Sequence, residues 1–467
     1  MLSYFPKTIA QRGIYLYLGS LAAVTLIYFK HAMPIDFMLI GVMWVAGFFL
    51  LANKFTKEWQ DIPEKKFVTT LFLTSLGLRV AWLTFSYWFY TTKTGAPFEF
   101  EARDAWMYYW VSNERSSLSL AELWRVSFVD TPVISDSGYI FYLALICKIT
   151  GPSFYLPRLI HSVLSAFSVV QIYTLAKRNI GVEGARIAGI FACLFPNLIC
   201  YCGLHMKETV MIFIITTFLE RTDYVLRNKK MMILNIALIT GLIVSMFTFR
   251  TVLGGAAMFS VASALILSKS KAVGKFRRWL MIGYAALAIT TLAGGMIMAE
   301  VEDTWENRSE NLEHKRAVQT MRGNQWAKYA TGTVMAPMIF VLPFPTMIHI
   351  QYQENQLMYS GGNFIRNFLG CFVLIGLFTA IFITKKWRDF SLIGSFAVAY
   401  LGIIATSGFN NSERFLLPGL PCLLIIAAYG VTQLNAKNYR FVEIWYYVVP
   451  VMALGWAYFK LGTRGML

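Results

Sequence analysis

Long apolar segments separated by short polar ones run through the whole chain. Many approach the roughly 20 residues that an α-helix needs to cross the hydrocarbon core of a bilayer. A helix satisfies its own backbone hydrogen bonds in lipid, so these segments predict transmembrane helices. They lie near residues 14–30, 34–53, 67–91, 157–176, 184–202, 206–220, 231–248, 251–268, 279–299, 364–384, 391–407, 414–434 and 444–461.

Lys and Arg concentrate in six connecting segments, which the positive-inside rule assigns to the cytoplasm. All six fit only if two further apolar stretches, 137–150 and 333–349, do not cross. Lys148 interrupts the first and prolines interrupt the second, so both suit interfacial or re-entrant helices. The pattern predicts an all-α polytopic protein of about thirteen spans with a cytoplasmic N-terminus. The six segments are 54–66, 177–178, 221–230, 269–278, 385–388 and 437–440.

The amino-acid composition also indicates that this chain is surrounded by lipid. It is 57% hydrophobic and 14% charged, whereas charged residues make up about a quarter of ordinary soluble proteins. The net charge of +17 follows from the basic loops and therefore indicates membrane orientation, not nucleic-acid binding. The N-terminus lacks a small-residue cleavage site and is expected to remain as the first span. Six cysteines without metal-ligand spacing are expected to be buried apolar residues.

This orientation divides the chain into four parts. Residues 1–66 form an N-terminal hairpin, 67–300 a transmembrane core, 301–363 an outer loop with the re-entrant stretch, and 364–467 the C-terminal helices. The two largest polar segments, 92–136 and 300–332, both face outside. The second is rich in alternating charges, as in a solvated helix. No Gly-rich phosphate loop, GxSxG elbow or HExxH motif is present.

Carboxylates in the first outer segment are candidates for acid–base chemistry. Glu101 and Asp104 are three residues apart and would share one face of a helix. Such a pair can take a proton from a hydroxyl or hold a divalent cation; a solvated helix surface is the alternative. Asp130 and Asp136 are placed on the turn that enters the interfacial helix, where turn capping is equally compatible with them.

Cations in the short outer turns are candidates for binding a lipid phosphate. Lys207 lies between His205 and Glu208, close to lipid, and it runs against the charge bias of the other loops. Arg250 and Arg414 each enter a span from outside, and guanidinium groups pair well with phosphate. A snorkelling lysine and structural ion pairs are the alternatives. The role of Arg79, inside a predicted span, stays open.

Residues 137–213 resemble the N-terminal half of the GT-C membrane glycosyltransferases, the group of protein O-mannosyltransferases and lipid A aminoarabinose transferases. The shared features are an acidic outer loop, an interfacial Gly-Tyr helix, an Arg opening the next span, a basic turn, and then a Pro and a Lys-Glu pair. Two spans precede the acidic loop where many members have one. The matching residues here are Asp104, Gly138 and Tyr139, Arg158, Lys177 to Arg186, Pro196, and Lys207 with Glu208.

The resemblance implies a GT-C-like fold and a transferase that takes a sugar from a polyprenyl-phosphate donor. The acceptor would be a surface glycan, a lipid or a protein on the periplasmic face of a bacterial inner membrane. Asp104 would orient or deprotonate the acceptor hydroxyl, with Mg or Mn as a possible cofactor at Asp104. Arg158 would join the donor-binding cations. A polymerase or ligase of lipid-linked polysaccharide, or a flippase of such glycans, is the alternative.

Overall fold

The protein is described here from a computed structural model, which defines residues 2–131, 134–228, 233–267, 338–406, 412–462 and 464–466. Most of these residues are helical, with no strand among them. In chain order the helices are α1 (Lys7–Ile27), α2 (Ile35–Glu58), α3 (Glu64–Thr94), α4 (Arg103–Ser116), α5 (Leu120–Phe128), α6 (Ser137–Thr150), α7 (Leu156–Leu194), α8 (Pro196–Cys200), α9 (Glu208–Arg227), α10 (Ile233–Phe249), α11 (Thr251–Leu267), α12 (Glu354–Met358), α13 (Ser360–Phe378), α14 (Ser391–Thr406), α15 (Glu413–Leu416), α16 (Leu420–Thr432) and α17 (Ala436–Gly462).

Each predicted span within the described residues coincides with a helix, while 279–299 lies outside them. Among the described residues, six helices are long and apolar enough to cross a membrane, so the chain has the character of an integral membrane protein. α6, predicted to be interfacial, has 14 residues and a length of about 21 Å, shorter than the hydrocarbon core. All six cysteines are free and buried, as expected.

Helix α7 contains the predicted span 157–176 and the first part of the predicted span 184–202. Gly181 interrupts it with φ 84° and ψ 174°, backbone angles that only glycine adopts easily. The two arms fold back on each other, because a Cβ placed on Gly189 would lie 3.3 Å from the Cβ of Tyr173. The expected separation of 157–176 from 184–202 is therefore present as a helical hairpin.

The second arm of α7 ends at Leu194, and Pro196 starts a new short helix. Proline has no backbone N–H, so the carbonyl of Ala192 loses its helical donor. Arg79 of α3 supplies the replacement, donating from Nη2 to the Ala192 carbonyl and from Nη1 to the Cys193 carbonyl, both at 3.3 Å. Its Nε donates to Ser165 at 2.6 Å. Arg79 thus stabilises a helix break inside the bundle.

The expectation of a helix at 333–349 is wrong for its described part, residues 338–349. After one turn at residues 338–341 the chain is irregular, with an isolated bridge between Ala32 and Ile348. Pro343 and Pro345 explain this, since neither can donate to a helical ladder. The Asn367 amide donates to the carbonyls of Val341 and Pro343 at 2.6 and 2.9 Å, which compensates the buried backbone.

The basic loops meet at one end of the helix bundle, here called the basic end. Lys177 pairs with Glu64 at 2.5 Å, and Arg178 pairs with Asp223 at 2.6 Å. Arg227 donates to the Asp389 carbonyl at 3.4 Å. The N-terminus lies there too, because Leu2 donates to the Thr432 carbonyl and Ser3 to Gln60. The basic loops joined by these contacts therefore share one end of the molecule.

Helices α4, α5 and α6 pack together near the opposite end, here called the site end. A capping box of Ser119 and Glu122 begins α5, and Lys148 of α6 donates to the carbonyls of Ser116 and Leu118 at 3.1 and 2.6 Å. Gly138 allows α6 to approach α10, because a Cβ there would lie 2.2 Å from Oγ1 of Thr248. This contact places the start of α6 beside the last turn of α10.

Candidate functional site

Glu208, the first residue of α9, is the centre of an ion-pair cluster at the site end. Its side chain is fully buried, and Oε1 accepts from Nε of Arg414 at 2.5 Å and from Nη2 of Arg250 at 3.4 Å. Oε2 has no hydrogen-bond partner. A buried carboxylate shared by two guanidinium groups offsets the cost of holding those charges away from water.

Arg414 joins this buried carboxylate to the surface. Its Nη1 lies 2.5 Å from Oδ2 of Asp104, whose side chain is 50% exposed. The two residues are 310 positions apart in the sequence. Asp104 lies in the first turn of α4, so its carboxylate is accessible to a substrate while remaining in contact with the cluster.

Arg250 lies in the turn between α10 and α11 and is held from three sides. Besides Glu208, it donates from Nη1 to the Tyr400 hydroxyl at 3.1 Å. Its guanidinium lies 4.4 Å from the ring centre of Phe415, within cation–π distance. The Tyr400 hydroxyl in turn donates to the Phe415 carbonyl at 2.7 Å. Arg250 is therefore oriented toward Glu208.

Lys207 and Asp136 form a second ion pair beside the first cluster. Nζ of Lys207 also donates to the Phe249 carbonyl at 2.9 Å. Oδ2 of Asp136 accepts from the Tyr108 hydroxyl at 2.9 Å. Asp136 precedes α6 in the left-handed region, at φ 73°. The close approach of α6 to α10 thus brings Asp136 to Lys207.

Three further polar side chains are buried next to these pairs. Arg158 is fully buried over the Phe98 ring, 5.2 Å from its centre, and none of its side-chain nitrogens has a hydrogen-bond partner. His205 lacks a partner on both ring nitrogens, and Glu99 lacks one on Oε2. Burial lowers the pKa of His205 well below its usual range and raises the pKa of Glu99.

Of the ten candidate residues, six form the ion pairs, Arg158 and His205 are buried beside them, and two do not join the site. Glu101 precedes α4 with φ 54°, so it shares no helical face with Asp104, contrary to the expectation. Asp130 follows α5 and pairs with the exposed Arg125 at 2.9 Å, away from the turn that enters α6, where it was expected. Those brought together are Asp104, Asp136, Lys207, Glu208, Arg250 and Arg414.

Sequence reasoning missed Glu99, Tyr108 and Tyr400. Glu99 stands in the same acidic stretch as Glu101 and Asp104, so the density of carboxylates there was a signal for it. The two tyrosines carry no comparable signal in an aromatic-rich chain. Their role appears only when folding brings Tyr108 to Asp136 and Tyr400 to Arg250.

The described residues hold no preformed cluster of protein ligands for a divalent cation. No group of three or more His, Cys, Asp or Glu within them is arranged to hold a metal. One oxygen of Asp104 is already paired with Arg414. The carboxylates of the cluster are paired with guanidinium and ammonium groups.

Comparison of the sequence with protein-family models gives no match, and comparison with curated proteins gives none either. The functional conclusion accordingly comes from the chemistry of the cluster and from its place in the fold.

Proposed function

We propose that this chain is a membrane glycosyltransferase of GT-C type, which moves a sugar from a polyprenyl-phosphate carrier to an acceptor hydroxyl. The site end would face the periplasm and the basic end the cytoplasm, in accordance with the positive-inside rule. In chain order, the span α3 is followed by the acidic segment with the short helices α4, α5 and α6, and then by the helical hairpin α7. This order supports the resemblance noted in the sequence.

The contact between Asp104 and Arg414 carries the proposal. It joins a half-exposed carboxylate, suited to the acceptor, to a guanidinium suited to a phosphate. Arg250 and Lys207 add two more cations at the same end of the molecule. A transferase needs these two functions side by side, since the acceptor must attack the carbon that bears the phosphate.

The chemistry follows from these charges. The acceptor oxygen forms a bond to the anomeric carbon of the sugar while the bond from that carbon to the phosphate oxygen breaks. The hydroxyl proton passes to Asp104, and the polyprenyl phosphate leaves with the bonding electrons. Cations that neutralise the leaving phosphate usually supply the larger share of the rate. Proton transfer to a positioned carboxylate adds roughly 10²–10⁴-fold.

A lipid-linked polysaccharide polymerase or ligase would use the same charges on a larger donor. A flippase of such glycans would carry its cations along a cavity between the two ends. In the described residues the candidate cations instead lie at the site end, close to the half-exposed Asp104. This placement favours transfer over translocation.

Binding of a sugar-free polyprenyl phosphate to the purified protein, together with release of that phosphate from lipid-linked sugars, tests the proposal. Asp104→Asn is expected to abolish release while binding stays intact or tightens, because Arg414 loses its competing carboxylate. Lys207→Met and Arg250→Met are expected to weaken binding by about 1–3 kcal/mol, as for charge-assisted hydrogen bonds.

Asp130→Asn is the matched control, because it makes the same chemical change in an exposed ion pair elsewhere. It should leave both measurements unchanged. Full release by a correctly folded Asp104→Asn variant would contradict the role of Asp104. Unchanged binding in both cation variants would contradict the phosphate site. Loss of release on adding a chelator would show that a metal takes part.

A further inference from the structure

An open groove lies at the basic end, between the N-terminal segment and the start of α17. Its volume is about 200 Å³, many times the roughly 10–15 Å³ that one water molecule requires. The lining side chains are apolar except for the amide of Asn435 and the hydroxyl of Tyr439. They are Leu2, Pro6, Ile9, Leu434, Asn435, Ala436 and Tyr439. Asn435 and Ala436 are exposed, so the groove is accessible from outside the protein.

Hydrogen bonds within the chain fix both walls of this groove. Oδ1 of Asn435 accepts from the backbone N–H groups of Lys437 and Asn438 at 2.9 and 3.1 Å. The side chain of Asn438 accepts from the backbone N–H of Asn435 at 2.8 Å. On the other wall, the Leu2 N–H donates to the Thr432 carbonyl at 3.2 Å. The polar group of Asn435 is therefore used to begin α17, which leaves the groove a preformed apolar surface.

Four basic side chains surround the groove, each within three residues of a residue that lines it. They are Lys7, Arg12, Lys437 and Arg440. All four are exposed, and none forms an ion pair with a described residue. Segments 2–12 and 433–445 contain these four cations and one carboxylate, that of Glu443. The rim of the groove is therefore strongly positive.

The groove lies at one end of a surface that faces lipid. α17 is among the helices long and apolar enough to cross a membrane, and α1 packs against it. Farther along these two helices the exposed side chains are large and apolar: Tyr15 and Leu18 on α1, and Ile444, Tyr447 and Val451 on α17. The basic side chains begin where this apolar surface ends. In a bilayer that boundary is the level of the lipid headgroups.

The combination of an apolar groove and a positive rim restricts what can bind. A free phosphate ion would use the cations and leave the apolar walls without a partner. A lipid with no net charge would use the walls and leave the cations uncompensated. An anionic phospholipid uses both, because its headgroup carries the negative charge and its acyl chains begin next to it. Clusters of Lys and Arg beside a membrane helix attract such lipids.

We propose that this groove binds an anionic phospholipid, such as phosphatidylglycerol, from the membrane leaflet at the basic end. Lys7, Lys437 and Arg440 hold the headgroup, and one acyl chain follows the groove toward the apolar surface of α1 and α17. The bound lipid thereby joins the N-terminal segment to the start of α17. This proposal is independent of the glycosyltransferase function, because the groove lies at the end of the molecule opposite to Asp104.

Thermal unfolding of the full-length protein in a neutral detergent tests the proposal. We expect the midpoint to rise and saturate with phosphatidylglycerol, and not with phosphatidylcholine of the same acyl chains. Binding to the folded state alone produces this concentration dependence. In Lys7→Gln/Lys437→Gln the concentration for half of the effect should rise roughly 30-fold, about fivefold for each cation. Ala436→Phe, which fills the groove and keeps every charge, should weaken the effect as well.

The matched control is Lys385→Gln/Lys386→Gln, which removes two exposed lysines from another loop of the basic end. It should keep the full effect of phosphatidylglycerol. Equal losses in the two double variants would overturn the proposal, since they would show attraction to the basic end in general. So would equal effects of the two lipids on the wild type, or the same rise in midpoint with inorganic phosphate alone.

Cross-linking of the wild-type protein provides a second measurement, which decides the matter should Ala436→Phe fail to fold. The probe is phosphatidylglycerol with a photoreactive group in its acyl chain, in vesicles of phosphatidylcholine. We expect cross-links in residues 2–12 and 434–447, several-fold more than with a phosphatidylcholine probe. Absence of this enrichment from both segments would contradict the proposed site.

Discussion

At the scale of single residues, charge next to lipid was the useful signal. Lys207, Glu208, Arg250 and Arg414 attracted attention because charges entering apolar helices are costly unless they are paired or functional. Folding brings all four into one cluster. The sequence could not show that Glu208 would be the shared partner of two arginines, because that depends on the contact of α9 with the start of α15.

Replacing Glu208 by Gln should strongly destabilise the folded protein. Two guanidinium groups would lose their common buried counter-charge, and breaking a buried ion pair from one side costs about 3–5 kcal/mol. The expected result is a lower free energy of unfolding in a denaturant titration, with a similar loss in Arg414→Met.

The double variant Glu208→Gln/Arg414→Met should lose less than the sum of the two single variants. Both changes remove the same interaction, and residues in direct contact typically couple by 0.5–3 kcal/mol. Strict additivity would show that the 2.5 Å contact between these residues contributes nothing to stability.

At the scale of elements, hydropathy was sufficient to find the helices and insufficient to find their breaks. The spans follow from runs of apolar residues, whose backbone must form helices in lipid. Gly181 is one residue within a basic turn, and the hydropathy pattern does not indicate that it interrupts α7 with a φ of 84°. The irregular backbone at 342–349 was missed because the hydrogen-bond donor for its buried carbonyls is the side chain of Asn367, a distant residue.

The break at Pro196 gives Arg79 a role that the sequence left open. Arg79→Met should lower the stability of the protein, because the carbonyls of Ala192 and Cys193 would lose their donor. Leaving buried polar groups unpaired costs about 1–3 kcal/mol each. In a Pro196→Ala background the loss should be smaller, since alanine restores a backbone N–H for the Ala192 carbonyl.

The measurement is the free energy of unfolding of the wild type, Arg79→Met, Pro196→Ala and the variant that carries both changes. Arg79→Lys is the companion variant: it keeps the charge but has fewer donors, and should fall between the wild type and Arg79→Met. An equal loss from Arg79→Met in both backgrounds would argue against capping of the broken helix by Arg79.

At the scale of the whole molecule, the distribution of Lys and Arg predicted which loops belong together. Contacts among Glu64, Lys177, Arg178 and Asp223 place those loops at one end, and Asp104, Lys207, Arg250 and Arg414 lie at the other. A chain that crosses a membrane at regular intervals returns its loops alternately to two ends, so loops of one side are expected to meet at one end. Segment 269–278 and the outer segment 300–332 lie outside the described residues.

Cysteine labelling in intact cells checks which end faces outward. A cysteine at Ser116 should react with a membrane-impermeant thiol reagent, while cysteines at Gln60 and Asn228 should react only after permeabilisation. The native cysteines are all buried, so the background should be low. Labelling of the Asn228 position before permeabilisation would reverse the orientation of the candidate site.

The cluster at the site end contains three cations and three carboxylates, so its charges cancel. A vacant positive pocket would attract any anion and would release a phosphate slowly. Under the proposed function, an arriving lipid phosphate would have to compete with carboxylates of the protein, and the same carboxylates would return when the spent carrier departs. Affinity would then be a difference between two sets of ion pairs, which would keep the carrier lipid exchangeable after each round of transfer.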